Sequence, residues 1–413
     1  MKRSIFIVCF LAVLTCIGCS GKSAGTGENK EGAESSESQK QLTDREVLML
    51  IFKSTNGENW SEDSKENWGS DLPLNEWDGV KTNEEGRVIK LSIYDDNITG
   101  SYPKEIAQLS ELKELGLGAG KENKELQPFP ASMGDMTKLE YLGLTSYAKD
   151  IVLPAFTKLV NLKKIMFHID GKLPEGLSQL QKIEEFSFIG LKGDIPAEIT
   201  KLTNLKHVYI TGSELSGTIP SDIGNLKNLK LLNIGKVQAF GTPEPLKGNI
   251  PESLWELENL ENLNLIHAAT EGSLPSDINK LTKLNSIIII DCGLTGEIPK
   301  SLYSMEQLRT IEFYYNKLTG TISPEIGKLI NLETFAIQNN QFTGKLPATL
   351  GKLTKLRALR VQNNQLTGAI PAELANCKLE GYVEFYGNQF SDNIAPALKA
   401  HPKFAKWKVD KAR

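Results

Sequence analysis

The sequence predicts an α/β solenoid, a stack of coils that each give one strand to a long parallel sheet and one short helical turn to the opposite side. Three observations predict it. A 24-residue unit at Leu332–Lys355, LETFAIQNNQFTGKLPATLGKLTK, is followed by a near copy from Leu356. Asn316, Asn340, Asn364 and Asn388 recur 24 residues apart. Gly and Pro return at fixed places in each unit, where a continuous helix would break. Self-similarity at such a period means that each unit buries its apolar side only against its neighbours.

Within the unit each segment has a physical reason. Leu332, Phe335 and Ile337 are spaced as a short strand whose alternate side chains enter the stack. Asn340 ends that strand, where its amide can satisfy backbone groups of its own turn and of the next coil. In Phe342-Thr343-Gly344 the glycine permits a tight bend, and Pro347 fixes an extended return. Ala348–Leu353 has helical spacing but is too short for a stable helix, so a single turn is expected.

LRTIEFYYNKLTGTISPEIGKLIN at Leu308–Asn331 resembles the plant-type leucine-rich repeat, LxxLxLxxNxLTGxIPxxIGxLxx. The resemblance runs from Val88 to about Ile394, in roughly thirteen coils. It implies a right-handed horseshoe with a parallel concave sheet, short helical turns on the convex side and a helical N-terminal cap.

The chain divides in order. Residues 1–18 carry Lys2-Arg3 and an apolar run from Ile5 to Ile17, which is the layout of a secretion signal. Gly18-Cys19 resembles the bacterial lipobox, which implies lipidation at Cys19; Cys16 is a weaker rival, and an ordinary cleaved signal is the plainer reading. Residues 19–42 are rich in Gly, Ser, Glu and Lys, the composition of a flexible tether between a membrane anchor and a folded body. Several acyl chains, as the resemblance implies, give stable anchoring. The expected location is the cell envelope, at the outer membrane or cell surface; Ser20-Gly21-Lys22-Ser23 leaves the surface and periplasmic sides both open.

Residues 43–87 read as the N-terminal cap. Thr43-Asp44-Arg45-Glu46 is a capping box, and Leu48, Ile51, Phe52 and Thr55 follow at helical spacing. Trp60, Trp68 and Trp77 suit the open apolar end of a first coil better than a carbohydrate platform. Residues 88–395 hold the repeats. Two coils are short, around Asp170-Gly171-Lys172 and Leu191-Lys192-Gly193; one is long, through Lys236–Gly248, an insertion that is either a partner loop or drift. Residues 396–413 form the tail, in which Phe404 and Trp407 should cover the last coil beneath a lysine cluster; headgroup contact is the lesser alternative.

Strand residues not needed for packing should face the concave side. Reading two outward positions per coil gives, among others, Ser92/Tyr94, Gly116/Gly118, Asn233/Gly235 and Glu312/Tyr314. Met166, Ile189, Tyr209, Ile266, Ile288, Ile290 and Tyr314 then make an apolar and aromatic stripe, joined by His168, Gln338, Arg360 and Tyr386 as further partner-binding candidates. Contiguous exposed apolar surface marks interaction sites. Tyr315, His207 and His267 are polar rim candidates.

Chemistry finds little footing. Of four histidines, His168 and His207 lie two coils apart, roughly 10 Å along the stack, too far to share a metal without a third ligand. Lys164, Glu185 and His207 occupy one outward position in successive coils, which predicts an ion-pair ladder. No HExxH, GxSxG, P-loop or dinucleotide signature is present. No enzyme activity, cofactor or metal is expected. Cys292 takes an Asn-ladder position and Cys377 lies more than three coils on, so both should be buried free thiols.

Without Lys2 and Arg3 the 47 basic residues become 45 against 51 acidic ones, a net charge of −6 that does not favour nucleic acid. The expected function is non-catalytic: a secreted, lipid-anchored adhesion or recognition protein whose concave face binds a protein or peptide. A glycan-binding surface lipoprotein is the alternative.

Overall fold

The structure is a computed structural model and describes residues 41–120, 129–236 and 246–409. The signal at 1–18, Cys19 with nearly all of the tether, and residues 237–245 of the long insertion lie outside the described residues.

Fourteen strands form one sheet, and every strand but the first runs parallel to its neighbours. The short strand Val80–Thr82 opens the sheet antiparallel to Val88–Ile93; Val383–Glu384 is its last member. The thirteen parallel strands match the coil number expected from the repeat. Most coils return through one tight 3₁₀ turn, as at Ala197–Lys201 and Ala348–Lys352, while the return between the strands Tyr141–Thr145 and Lys164–Gly171 has none. This is a leucine-rich-repeat solenoid, with one hydrophobic core continuous from Val47 to Trp407.

Local chemistry explains each corner. Pro347 sits at φ −73° and ψ 137°, the extended return, and Gly344 at φ 77°, a region that a side chain would strain. The Leu-Thr-Gly segments add something the repeat pattern did not foretell. They are extended enough to pair with each other, as Thr343–Lys345, Gln365–Gly368 and Gln389–Phe390 do. Thr343 and Thr367 donate their hydroxyls to the carbonyls of Gly320 and Gly344, so the threonines stitch successive coils.

The asparagine ladder forms as expected. Asn340 accepts from the N–H of Leu318 and donates to the carbonyls of Phe313, Ile337 and Gln338. Cys292 occupies the same station: its sulfur accepts from Ala268 and donates to the carbonyls of Leu265 and Ile290. Both Cys292 and Cys377 are buried free thiols.

The ends are closed by aromatics. Helix α1, Asp44–Ser54, begins with the expected capping box between Thr43 and Glu46. Trp60, Trp68 and Trp77 are buried and touch in series, edge to face and then tilted, with ring centroids 5.2 Å and 5.3 Å apart. Asp44, also buried, accepts from the N–H of Val88 and pairs with Arg87, which ties α1 to the first parallel strand. At the far end Trp407 is buried against Phe385 and Phe404.

Where the two short coils lack the full Leu-Thr-Gly turn, the strands run on. Lys164–Gly171 and Glu185–Leu191 are the longest in the sheet, at eight and seven residues. Their edge is held by Lys192, whose ammonium lies 2.9 Å, 2.7 Å and 3.2 Å from carboxylate oxygens of Asp150, Asp170 and Glu214.

Candidate functional site: the inner face of the sheet

The strand register aligns outward-facing residues into rows. The central row runs Ser92, Gly116, Gly143, Met166, Ser187, Tyr209, Asn233, Asn264, Ile288, Glu312, Ala336, Arg360 and Glu384. Every member is the residue that the sequence spacing assigns to that row. A second row, nearer the ends of the strands, passes through Gly118, Thr145, His168, Ile189, Thr211, Gly235, Ile266 and Ile290.

Within these rows Met166 and Ile189 are each 36 % exposed, and His168 is exposed beside them. Although open to solvent, His168 is crowded by the sheet, and that desolvation pushes its pKa below the ordinary histidine value. Tyr209, Ile266, Ile288, Tyr314, Arg360 and Tyr386 are partly buried.

Two candidates do not reach the surface. Ile290 is only 7 % exposed, because its strand ends there: it lies beside Ile266, and the chain turns at Asp291, whose N–H binds the carbonyl of Tyr314 in the next coil. Gln338 is 2 % exposed, set between neighbouring coils by the bonds Tyr315 N–H to Gln338 and Asn339 N–H to Gln362. The stripe is also interrupted. The strand Leu231–Lys236 presents Asn233 and Gly235, so the apolar surface falls into one group around Met166, Ile189 and Tyr209 and a second around Ile266, Ile288 and Tyr314.

The expected ion-pair ladder is present on the row nearest the strand starts. Lys164 and Glu185 approach to 2.5 Å, and His207 lies 3.8 Å from Glu185. At the C-terminal end a second polar group gathers. Glu384, buried, takes Arg360 at 3.1 Å, Lys408 at 2.6 Å and the Gln362 amide at 2.6 Å. Burial alone would raise the Glu384 carboxyl, but hydrogen bonds from Lys408 and Arg360 outweigh it and hold the group below its ordinary pKa. The Arg360 guanidinium lies 6.0 Å from the Tyr314 ring centroid and 5.7 Å from that of Tyr382. Partial burial pushes Glu312 the other way, upward, with Arg360 offsetting part of it.

One cluster escaped the reading by repeats. Tyr94 lies across the glycines of the next two strands: a Cβ at Gly116 would fall 2.7 Å from its hydroxyl, and one at Gly118 3.0 Å from its ring. A Cβ at Gly143 would meet the Tyr141 hydroxyl at 2.4 Å. The signal was there in Gly116, Gly118 and Gly143, three glycines where outward side chains belong.

Among the described residues no group of three or more His, Cys, Asp or Glu is placed to hold a metal ion, and no helix is long and apolar enough to cross a membrane.

Comparison with known proteins agrees with the architecture. The family described as Leucine Rich Repeat matches residues 204–226, 307–329, 331–353 and 355–377. A search of curated protein sequences returned no match. Among solved structures, the chain resembles the ectodomain of the Arabidopsis receptor kinase HAESA in complex with an N-terminally extended IDA peptide hormone. There the TM-score is 0.71 with 26 % identity, covering 89 % of this chain and 61 % of that one. It also resembles the plant peptide hormone receptor RGFR1 in complex with RGF2, at TM-score 0.64 and 29 % identity over 78 % of this chain and 54 % of that one. The chain thus spans a little over half the length of these relatives. It carries leucine-rich repeats and is structurally similar to plant leucine-rich-repeat receptor ectodomains.

Proposed function

We propose that this protein is a non-catalytic recognition module that binds a protein or peptide on the inner face of its sheet. The observation that carries this reading is the pair Met166 and Ile189, which stay 36 % exposed on adjacent strands, with His168 exposed beside them. Exposed apolar side chains on a rigid sheet are surface for a partner to cover. The peptide-bound state of HAESA and RGFR1 supports the same use of the fold. On this face Glu185 is engaged by Lys164, and Glu384 by Arg360 and Lys408.

The test is selection of a random dodecapeptide library on the full-length chain. Enriched peptides should bind Met166→Asn/Ile189→Asn about tenfold more weakly, the loss expected when apolar anchors become polar. Enriched peptides that bind the double variant as tightly as the parent would reject this face.

We further propose display from a bacterial envelope through a lipid on Cys19, on the strength of the Gly18-Cys19 junction and the polar tether after it. Labelled palmitate should enter the chain and Cys16→Ala, and should not enter Cys19→Ala.

A further inference from the structure

The gap between the two apolar groups of the inner face is built of amides. Asn233 and Asn264 stand side by side in the central row, on the adjacent strands Leu231–Lys236 and Asn262–Ile266. Leu232, Ile234, Leu263 and Leu265 are buried in the core, so the alternate residues Asn233 and Asn264 point to the inner side. Asn233 is 9 % exposed, and its side chain makes no hydrogen bond among the described residues. The side-chain oxygen of Asn264 is buried and receives none either.

The ladder asparagines of the solenoid are engaged instead. Asn340 and Asn364 each bond backbone groups of two coils. A buried amide oxygen without a donor costs stability, and nothing among the described residues offsets that cost at Asn264. Beside the pair, the second row carries Gly235, which adds no side chain; a Cβ there would press to 3.2 Å on the Ile266 carbonyl oxygen. The same row holds Ile189 on one flank and Ile266 on the other.

A carboxamide offers one acceptor and two donor hydrogens, which is the complement of a peptide group. We propose that Asn233 and Asn264 are the main-chain-binding positions of the inner face: their carboxamides take the N–H and C=O groups of an extended peptide laid across the strands, while its side chains rest on Ile189 and Ile266. Those two isoleucines lie three strand steps apart, about 14 Å, which an extended chain covers in four residues at about 3.3 Å each. The anchored side chains are therefore i and i+4, on one face of the peptide. This contact rests on the reading of the inner face as a peptide-binding surface, and adds that the surface grips the partner's backbone at its centre.

The experiment takes the strongest dodecapeptide selected on the full-length chain and replaces each internal amide in turn by an ester, which deletes an N–H and keeps every side chain. At least one ester between the two apolar residues should weaken binding to the parent about fivefold, the size of one hydrogen bond. The same ester should weaken binding to Asn233→Ala or to Asn264→Ala less than twofold. The unbound proteins give a second measurement. Asn364→Ala removes side-chain bonds to Phe342, Ile337 and Val361, whereas Asn233→Ala and Asn264→Ala remove none among the described residues. Each should therefore shift the urea midpoint less than half as far as Asn364→Ala. No ester effect, an ester effect of equal size in both asparagine variants, a midpoint shift matching that of Asn364→Ala, or displacement of the peptide by chitotetraose would overturn the proposal. The two readings fail separately. Esters that bind like the parent peptide, with binding still weakened by Met166→Asn/Ile189→Asn, defeat the backbone contact and leave the inner face standing. A selection that enriches nothing defeats the inner-face reading and this contact with it.

Discussion

Asn364 accepts a hydrogen bond from the backbone N–H of Phe342 at 3.0 Å, and so joins two coils through one buried side chain. Its amide donates to the carbonyls of Ile337 and Val361, each at 3.0 Å. Asn364→Ala would therefore strand one donor and two acceptors where water does not reach. The expected cost is about 1–3 kcal/mol, read as a lower urea midpoint with an unchanged slope. A midpoint like that of the parent would mean that the ladder does not hold the coils together.

The two body thiols should be silent in the native state. Burial pushes Cys292 up to about 12 and Cys377 up to about 11, far from the pH at which thiolates form. Iodoacetamide at pH 8, followed by peptide mass spectrometry, should leave both unmodified until urea unfolds the chain. Rapid labelling of Cys292 in the folded protein would contradict its place in the core.

His168 gives the inner face a pH dependence with a definite sign. Its folded pKa lies below the ordinary histidine value, so the unfolded chain takes up the proton more readily. This contribution to stability is complete above the ordinary value and is lost as pH falls through the window down to the folded pKa. A proton NMR titration should place His168 below a histidine model peptide, and His168→Gln should flatten the pH dependence of the urea midpoint in that window. A His168 midpoint at or above the reference would remove desolvation as the cause.

How far the sequence foretells this arrangement depends on whether the cause is periodic. The ladder of Asn316, Asn340, Asn364 and Asn388, the turn at Gly344 and the alignment of Met166 with Ser187 and Tyr209 all follow from spacing, because each coil repeats the same local bonds. The burial of Ile290 and Gln338 does not follow from spacing, because it depends on how a strand ends and on what the next coil brings beside it. Tyr94 shows the same limit from the other side. Its outward position is readable, but its lying flat needs glycines from two other coils, and only the stacked register brings them beneath the ring.

The central claim is that the inner face, and not the outer surface of the coils, is where a partner sits. The most direct measurement is the affinity of one library-selected peptide for three full-length proteins: the parent, Met166→Asn/Ile189→Asn, and Ile330→Asn, an exposed apolar residue just beyond the turn Pro324–Lys328. The account predicts about tenfold weaker binding for the inner-face double variant and parental binding for Ile330→Asn. Parental affinity in the double variant, or a loss confined to Ile330→Asn, would contradict it.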